Sequence, residues 1–148
     1  MKKFFLILVL VGGFLSSCSS DDTTPEIPLD PIFGTWKLIA STSQYENQPP
    51  VNDMQQCQIL NTFQFNGIGD SGTGNIKQYW EDTTTSLCEL GATLNLEWEN
   101  RGNTNYIFKQ TYNNQILIEE INITFQSNKM YIKTIDGPYT FIQTLQKE

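Results

Sequence analysis

Three groups of residues in this 148-residue chain are of types that do chemistry. Gly69-Asp70-Ser71-Gly72 sets a serine between glycines, where a nucleophile would have open access. Glu97 and Glu99 place two carboxylates on one face of a strand, roughly 6.5–7 Å apart along it, near the separation used in sugar hydrolysis. Cysteines stand at positions 18, 57 and 88. The chain contains no histidine, which removes the commonest general base and the commonest metal ligand. Ser71 therefore has no base of the kind a serine nucleophile needs, and the run Gly67–Gly74 reads as a flexible hairpin turn. Glu97 and Glu99 alternate with apolar Leu94, Leu96 and Trp98, which puts them on a solvated outer face. Glu81-Asp82 and Glu119-Glu120 read the same way. No loop shows regular ligand spacing for Ca²⁺. No nucleophile–base pair or metal set can be assembled, so a non-enzyme without cofactor or metal is expected.

The cysteines carry more. Met1-Lys2-Lys3 precedes an apolar run and then small residues, the pattern of a secretory signal peptide. From Phe4 to Leu15 the run is 12 residues, against roughly 20 needed to cross a hydrocarbon core as a helix. Leu15-Ser16-Ser17-Cys18 resembles the lipobox of bacterial lipoproteins, which implies that Cys18 becomes a lipid-bearing N-terminus. Each buried CH₂ of such chains adds about 0.8 kcal/mol to anchoring. Ser19-Ser20-Asp21-Asp22 resembles the signal that carries Bacteroidetes-type lipoproteins to the outer face of the outer membrane. Three prolines between Asp22 and Pro31 favour an extended spacer. The expected organisation is residues 1–17 as signal peptide, 18–31 as anchor and linker, and 32–148 as one domain. In the envelope, Cys57 and Cys88 are expected to pair. The chain-entropy model values the loop they would close at about 3.5–4 kcal/mol.

Charge narrows the partners. Removing residues 1–17 takes two of the nine basic residues and none of the sixteen acids, leaving a mature balance of −9. Such a surface repels phosphate backbones, so no nucleic acid is expected. Ile32–Glu148 is long enough to bury one core and shows no internal repeat, so a monomeric domain is expected.

The elements that position these residues read as strands. Leu94, Leu96 and Trp98 alternate with Asn95, Glu97 and Glu99, and Ile121, Ile123 and Phe125 with Asn122, Thr124 and Gln126, which is the period of a half-buried strand. Further strand-like runs cover Gly34–Ser41, Ile59–Asn66, Gly74–Trp80, Asn105–Tyr112, Gln115–Glu119, Lys129–Ile135 and Tyr139–Gln146. Turn residues separate them at Asn66-Gly67, Asn100–Asn103, Asn113-Asn114, Ser127-Asn128 and Asp136-Gly137. No sustained helical period is present, though Asp53–Gln56 fits one helical turn. Short connections make neighbours antiparallel, and closing the meander removes its exposed edges. The expected fold is all-β, an antiparallel up-and-down meander closing into an eight-stranded barrel, with a sandwich of the same strands as the alternative.

Ile32-Phe33-Gly34-Thr35-Trp36-Lys37-Leu38 resembles the opening Gly-x-Trp strand of the lipocalin superfamily, and Ile32–Glu148 resembles the lipocalin-like domain of Bacteroidetes lipoproteins. The resemblance implies that Gly34 lets the chain enter the barrel without a Cβ clash and that Trp36 packs across its closed end. The chain lacks the Thr-Asp-x-Tyr element of that superfamily. No arginine follows the last strand to stack on the tryptophan, and Lys147 is a weaker partner for that role.

Trp36, Phe63, Phe65, Trp98, Phe108, Phe125 and Phe141 alternate with polar residues and are expected to point inward. Read plainly they are core. Read functionally, Phe63, Phe65, Trp98, Phe108, Phe125 and Phe141 line a pocket for a small apolar or amphipathic ligand at the end opposite Trp36. Tyr79 and Trp80 offer an exposed stacking surface for sugars. The expected function is that of an outer-membrane lipoprotein, joined to the membrane through its N-terminal lipid and exposed at the cell surface, whose lipocalin-like domain binds such a ligand. The alternatives are a surface module that binds glycan or protein through its loops and an envelope protein without a ligand. Metabolic labelling with a fatty-acid probe is expected to mark the wild type and not Cys18→Ala; equal labelling of both would exclude lipid attachment at that residue.

Overall fold

The computed structural model describes residues 29–112 and 115–148. Cys18 and the signal and anchor segments lie outside the described residues. Nine strands follow in chain order: β1 (Gly34–Tyr45), β2 (Val51–Asn52), β3 (Thr62–Ile68), β4 (Ser71–Glu81), β5 (Cys88–Asn100), β6 (Asn105–Tyr112), β7 (Gln115–Gln126), β8 (Lys129–Asp136) and β9 (Tyr139–Lys147). From β3 onward each strand pairs antiparallel with the next. β3 also pairs with the start of β1, and β9 returns along β1 from Trp36↔Lys147 to Tyr45↔Tyr139. Eight strands thus close into a barrel, and the two-residue β2 is an extra strand on β1 beyond Ser41. The sandwich is excluded by that closure.

Local departures from the sequence pattern have physical causes. β3 runs through Asn66-Gly67, because Ile68 pairs with Ser71 and leaves Gly69-Asp70 as the hairpin turn. Gly69 supplies the positive φ of 63° that this turn requires. β7 continues through Glu119-Glu120 as one strand, held by its ladder to β6, where both carboxylates reach solvent. The helical turn is a short 3₁₀ segment at Gln56–Leu60, later than Asp53–Gln56, and it absorbs Ile59 and Leu60.

Alternation sends one row of each strand inward. Trp36, Leu38, Phe65, Trp98, Phe108, Ile123, Met130 and Leu145 are all at most 2 % exposed. Phe65 and Phe108 lie 5.6 Å apart, and Trp36 and Phe125 5.9 Å apart, at tilted angles that suit aromatic packing. A register shift between Leu38 and Ala40 turns the next inward residues of β1 to Ser41 and Ser43. Gly34 takes φ +112°, and a Cβ there would stand 3.1 Å from the Lys147 Cε, so the chain enters the barrel only as glycine. The Lys147 ammonium sits 5.2 Å from the Trp36 ring centroid. The Trp36↔Lys147 pairing brings the lysine stem to the ring and makes a cation–π contact there.

Cys57 and Cys88 are bonded, tying the 3₁₀ segment to the start of β5. Cys57 is 3 % exposed. Replacing both cysteines by alanine is expected to lower stability by about 3–4 kcal/mol, read as an earlier urea midpoint with a steeper slope because the freed denatured chain exposes more surface, and an unchanged midpoint would show that packing alone holds the segment.

Candidate functional site

The two barrel ends differ in how they are sealed. At the end where β1 begins, Asp30 is 6 % exposed although it carries a carboxylate. That carboxylate accepts hydrogen bonds from the Ile32 amide at 2.9 Å, the Tyr106 hydroxyl at 2.8 Å and the Asn100 Nδ2 at 2.5 Å. Its partners offset much of the cost of burying a charge. The Trp36 Nε1 donates to the Ile32 carbonyl at 2.7 Å, and Ile32 itself is 0 % exposed. Phe33 meets Trp98 edge-on at 5.3 Å. This end is a plug, and it begins two residues before Ile32, so Asp30 belongs to the folded body and not to the linker.

The opposite end is open. Along the same inward rows, exposure rises from 0 % at Leu145 to 45 % at Tyr139, and Leu117 is 51 % exposed. One wall of this mouth is aromatic: Tyr45 and Tyr139 meet at 5.1 Å, and Tyr139 stacks on Phe141 at 6.1 Å. A cleft of about 520 Å³ beside Phe141 is lined by Glu119, Glu120, Thr134 and Asp136 with Ile121 and Ile135. It exists because β7 and β8 pair only from Asn122 to Gln126 and part beyond. The disulfide and the 3₁₀ segment brace the β1, β4 and β5 side of this end.

The sequence-predicted pocket residues divide accordingly. Phe63, Phe65, Trp98 and Phe108 are 1–5 % exposed in the packed core. Phe125 is partly buried against that core, and Phe141 borders the mouth cleft. Trp80 is 52 % exposed, with its indole laid over Gly91 where any added Cβ would come within 1.8 Å of the ring. One face of that ring is therefore spent on its own strand pair.

Ser71, Glu97 and Glu99 meet on the outer face. Ser71 stands opposite Glu99 and Thr73 opposite Glu97, while β6 brings Lys109 against Glu97. They share a cleft of about 560 Å³ that continues through Thr73, Glu97 and Lys109 into one of about 660 Å³ reaching Ile116. Arg101 pairs with Glu99 at 3.0 Å in this solvated setting. The arrangement offers polar binding groups. Among the described residues, no group of three His, Cys, Asp or Glu side chains is arranged to hold a metal ion.

Sequence reasoning missed the plug. Asp30 sits in a proline-rich stretch, and its partners Asn100 and Tyr106 are 70 and 76 residues away. Comparison with family models, with curated proteins and with solved structures finds no match to this chain.

The plug carries a pH signature. Burial, and then the hydrogen bond to Asp30, push the Tyr106 phenol above the ordinary tyrosine range. The folded state therefore keeps a proton that the unfolded chain gives up, so stability falls as pH rises above about 10. Tyr106→Phe is expected to cost about 1–3 kcal/mol at neutral pH by removing a donor from the buried carboxylate. It should also flatten the alkaline fall, measured as urea midpoints across that range. An equally steep fall in the variant would assign it to other groups.

Proposed function

We propose that this is a lipid-anchored, non-enzymatic envelope protein of the outer membrane whose lipocalin-like barrel receives a compact amphipathic molecule at its mouth. The carrying observation is the contrast along single strands, from a row 0 % exposed at Leu145 to one half-exposed at Tyr139. A packed lower half leaves room for a short apolar segment and no more. The packed aromatics form its floor, and Phe141 with Tyr139 forms its wall. Glu119 and Asp136 at the rim favour a cationic headgroup over a carboxylate. The lipid anchor rests on the lipobox-like sequence at Cys18, and exposure at the cell surface on the acids behind it.

A second reading is favoured by the joined clefts on the outer face of β4, β5 and β6. Their carboxylates, amides and hydroxyls suit a glycan or a polar protein segment.

Dodecylamine is expected to raise the melting temperature of the soluble domain saturably in the micromolar range, with laurate at least tenfold weaker. Phe141→Ala should weaken the amine by about tenfold, the equivalent of losing about 1.4 kcal/mol of apolar contact. No response to either amphiphile would remove the mouth as a ligand site.

A further inference from the structure

The edge of β7 that faces β8 carries no ladder from Gln115 to Ile121. From Gln115 to Ile121 this strand stays in register with β6 on one side, while β8 leaves with β9 on the other. Among the described residues no strand pairs with the freed edge. The cleft beside Phe141 and a second of about 410 Å³ both lie in the gap, and Glu120, Ile121 and Ile135 line both. Ile116, Leu117 and Ile118 on this stretch are 70, 51 and 61 % exposed. An open ladder flanked by apolar side chains is an edge that proteins ordinarily blunt.

We propose that the β7–β8 gap takes an extended strand of a partner polypeptide in which two adjacent basic residues abut an apolar run. The ladder would supply the binding, as in other cases of strand addition. Side chains directly opposite on one face decide which strand fits. Ile116 and Ile118 share a face with Glu120, and Leu117 shares the other with Glu119. An incoming strand therefore meets three apolar positions followed by two carboxylates, with Asp136 across the gap adding a third against the single cation Lys133 at the gap's inner end.

A second copy of the chain meets this pattern badly. Antiparallel pairing centred on Ile118 sets Glu120 against Ile116 and Glu119 against Leu117. Parallel pairing sets each glutamate against itself, on a chain of net charge −7. The segment preceding the domain is also a poor occupant, since Asp21, Asp22 and Glu26 repeat the charge already present. A basic–apolar strand from another protein is the occupant that complements the edge. The two readings share the Glu119 and Asp136 carboxylates, but this inference stands apart from the amphiphile reading because its ladder is made by β7 backbone groups that an amphiphile does not use.

The test uses a labelled decapeptide whose core is two lysines followed by three valines, and a second with that core reversed. Fluorescence polarisation with the soluble domain is expected to show saturable micromolar binding of one of the two, which also fixes strand direction. N-methylation at alternate core residues should abolish binding. The double variant Glu119→Gln/Glu120→Gln should bind at least tenfold more weakly, with circular dichroism and melting temperature matching the wild type. Binding that survives N-methylation, or is unchanged in the double variant, would overturn the proposal. So would failure of both peptides, or a stable dimer in sizing chromatography that excess peptide does not dissociate.

Discussion

The ladder between β1 and β9 is the contact on which everything else depends. It joins the two ends of the domain, so its closure entropy must be met before any inward row faces another. Once closed, it sets Trp36 beside Lys147 and Leu38 beside Leu145, and the rest of the lower core packs outward from that pair of rows. It also decides where the barrel stops being filled. The register shift after Leu38 turns Ser41 and Ser43 inward in place of Ala40 and Thr42, so β1 adds no large apolar side chain between Leu38 and Tyr45. The open mouth begins at that shift.

Each end then has its own chemistry. The lower end is sealed by a charge that would be costly alone, and Asp30 is tolerable there because a backbone amide, an amide side chain and a phenol all donate to it. The upper end is kept from closing by divergence of strands. β7 follows β6 and β8 follows β9, and the two pairs separate beyond Asn122. The disulfide ties the 3₁₀ segment to the start of β5 on the far side of the same end, where β5 pairs with β6 only from Leu96 to Asn100.

The barrel was legible in the sequence because period-two alternation and turn residues are local signals. Asn105–Tyr112 was readable to both ends. The breaks in the pattern misled at Asn66-Gly67 and at Glu119-Glu120. A strand can carry turn-forming or charged residues when its partner ladder holds it, and that partner is invisible in a local window. The site was less legible still. Phe63, Phe65 and Phe108 are equally inward whether they line a cavity or fill one, and only the distances between rings decide. Asp30 looked like linker because two of its three partners, Asn100 and Tyr106, are brought to it by topology. The parting of β7 from β8 leaves no trace in residue type at all.

Both ends of the folded chain leave the barrel on the same side. Gly34 enters at the plug, Lys147 pairs with Trp36, and the Glu148 amide donates to the Thr35 carbonyl at 2.9 Å. The domain is in this sense single-poled, with the chain attached at the plug and the mouth at the far pole. A reporter fused after Glu148, or a surface coupled there, sits beside the incoming segment and away from the gap. A handle for immobilisation can thus be added after Glu148 without standing in front of the groups that face a ligand.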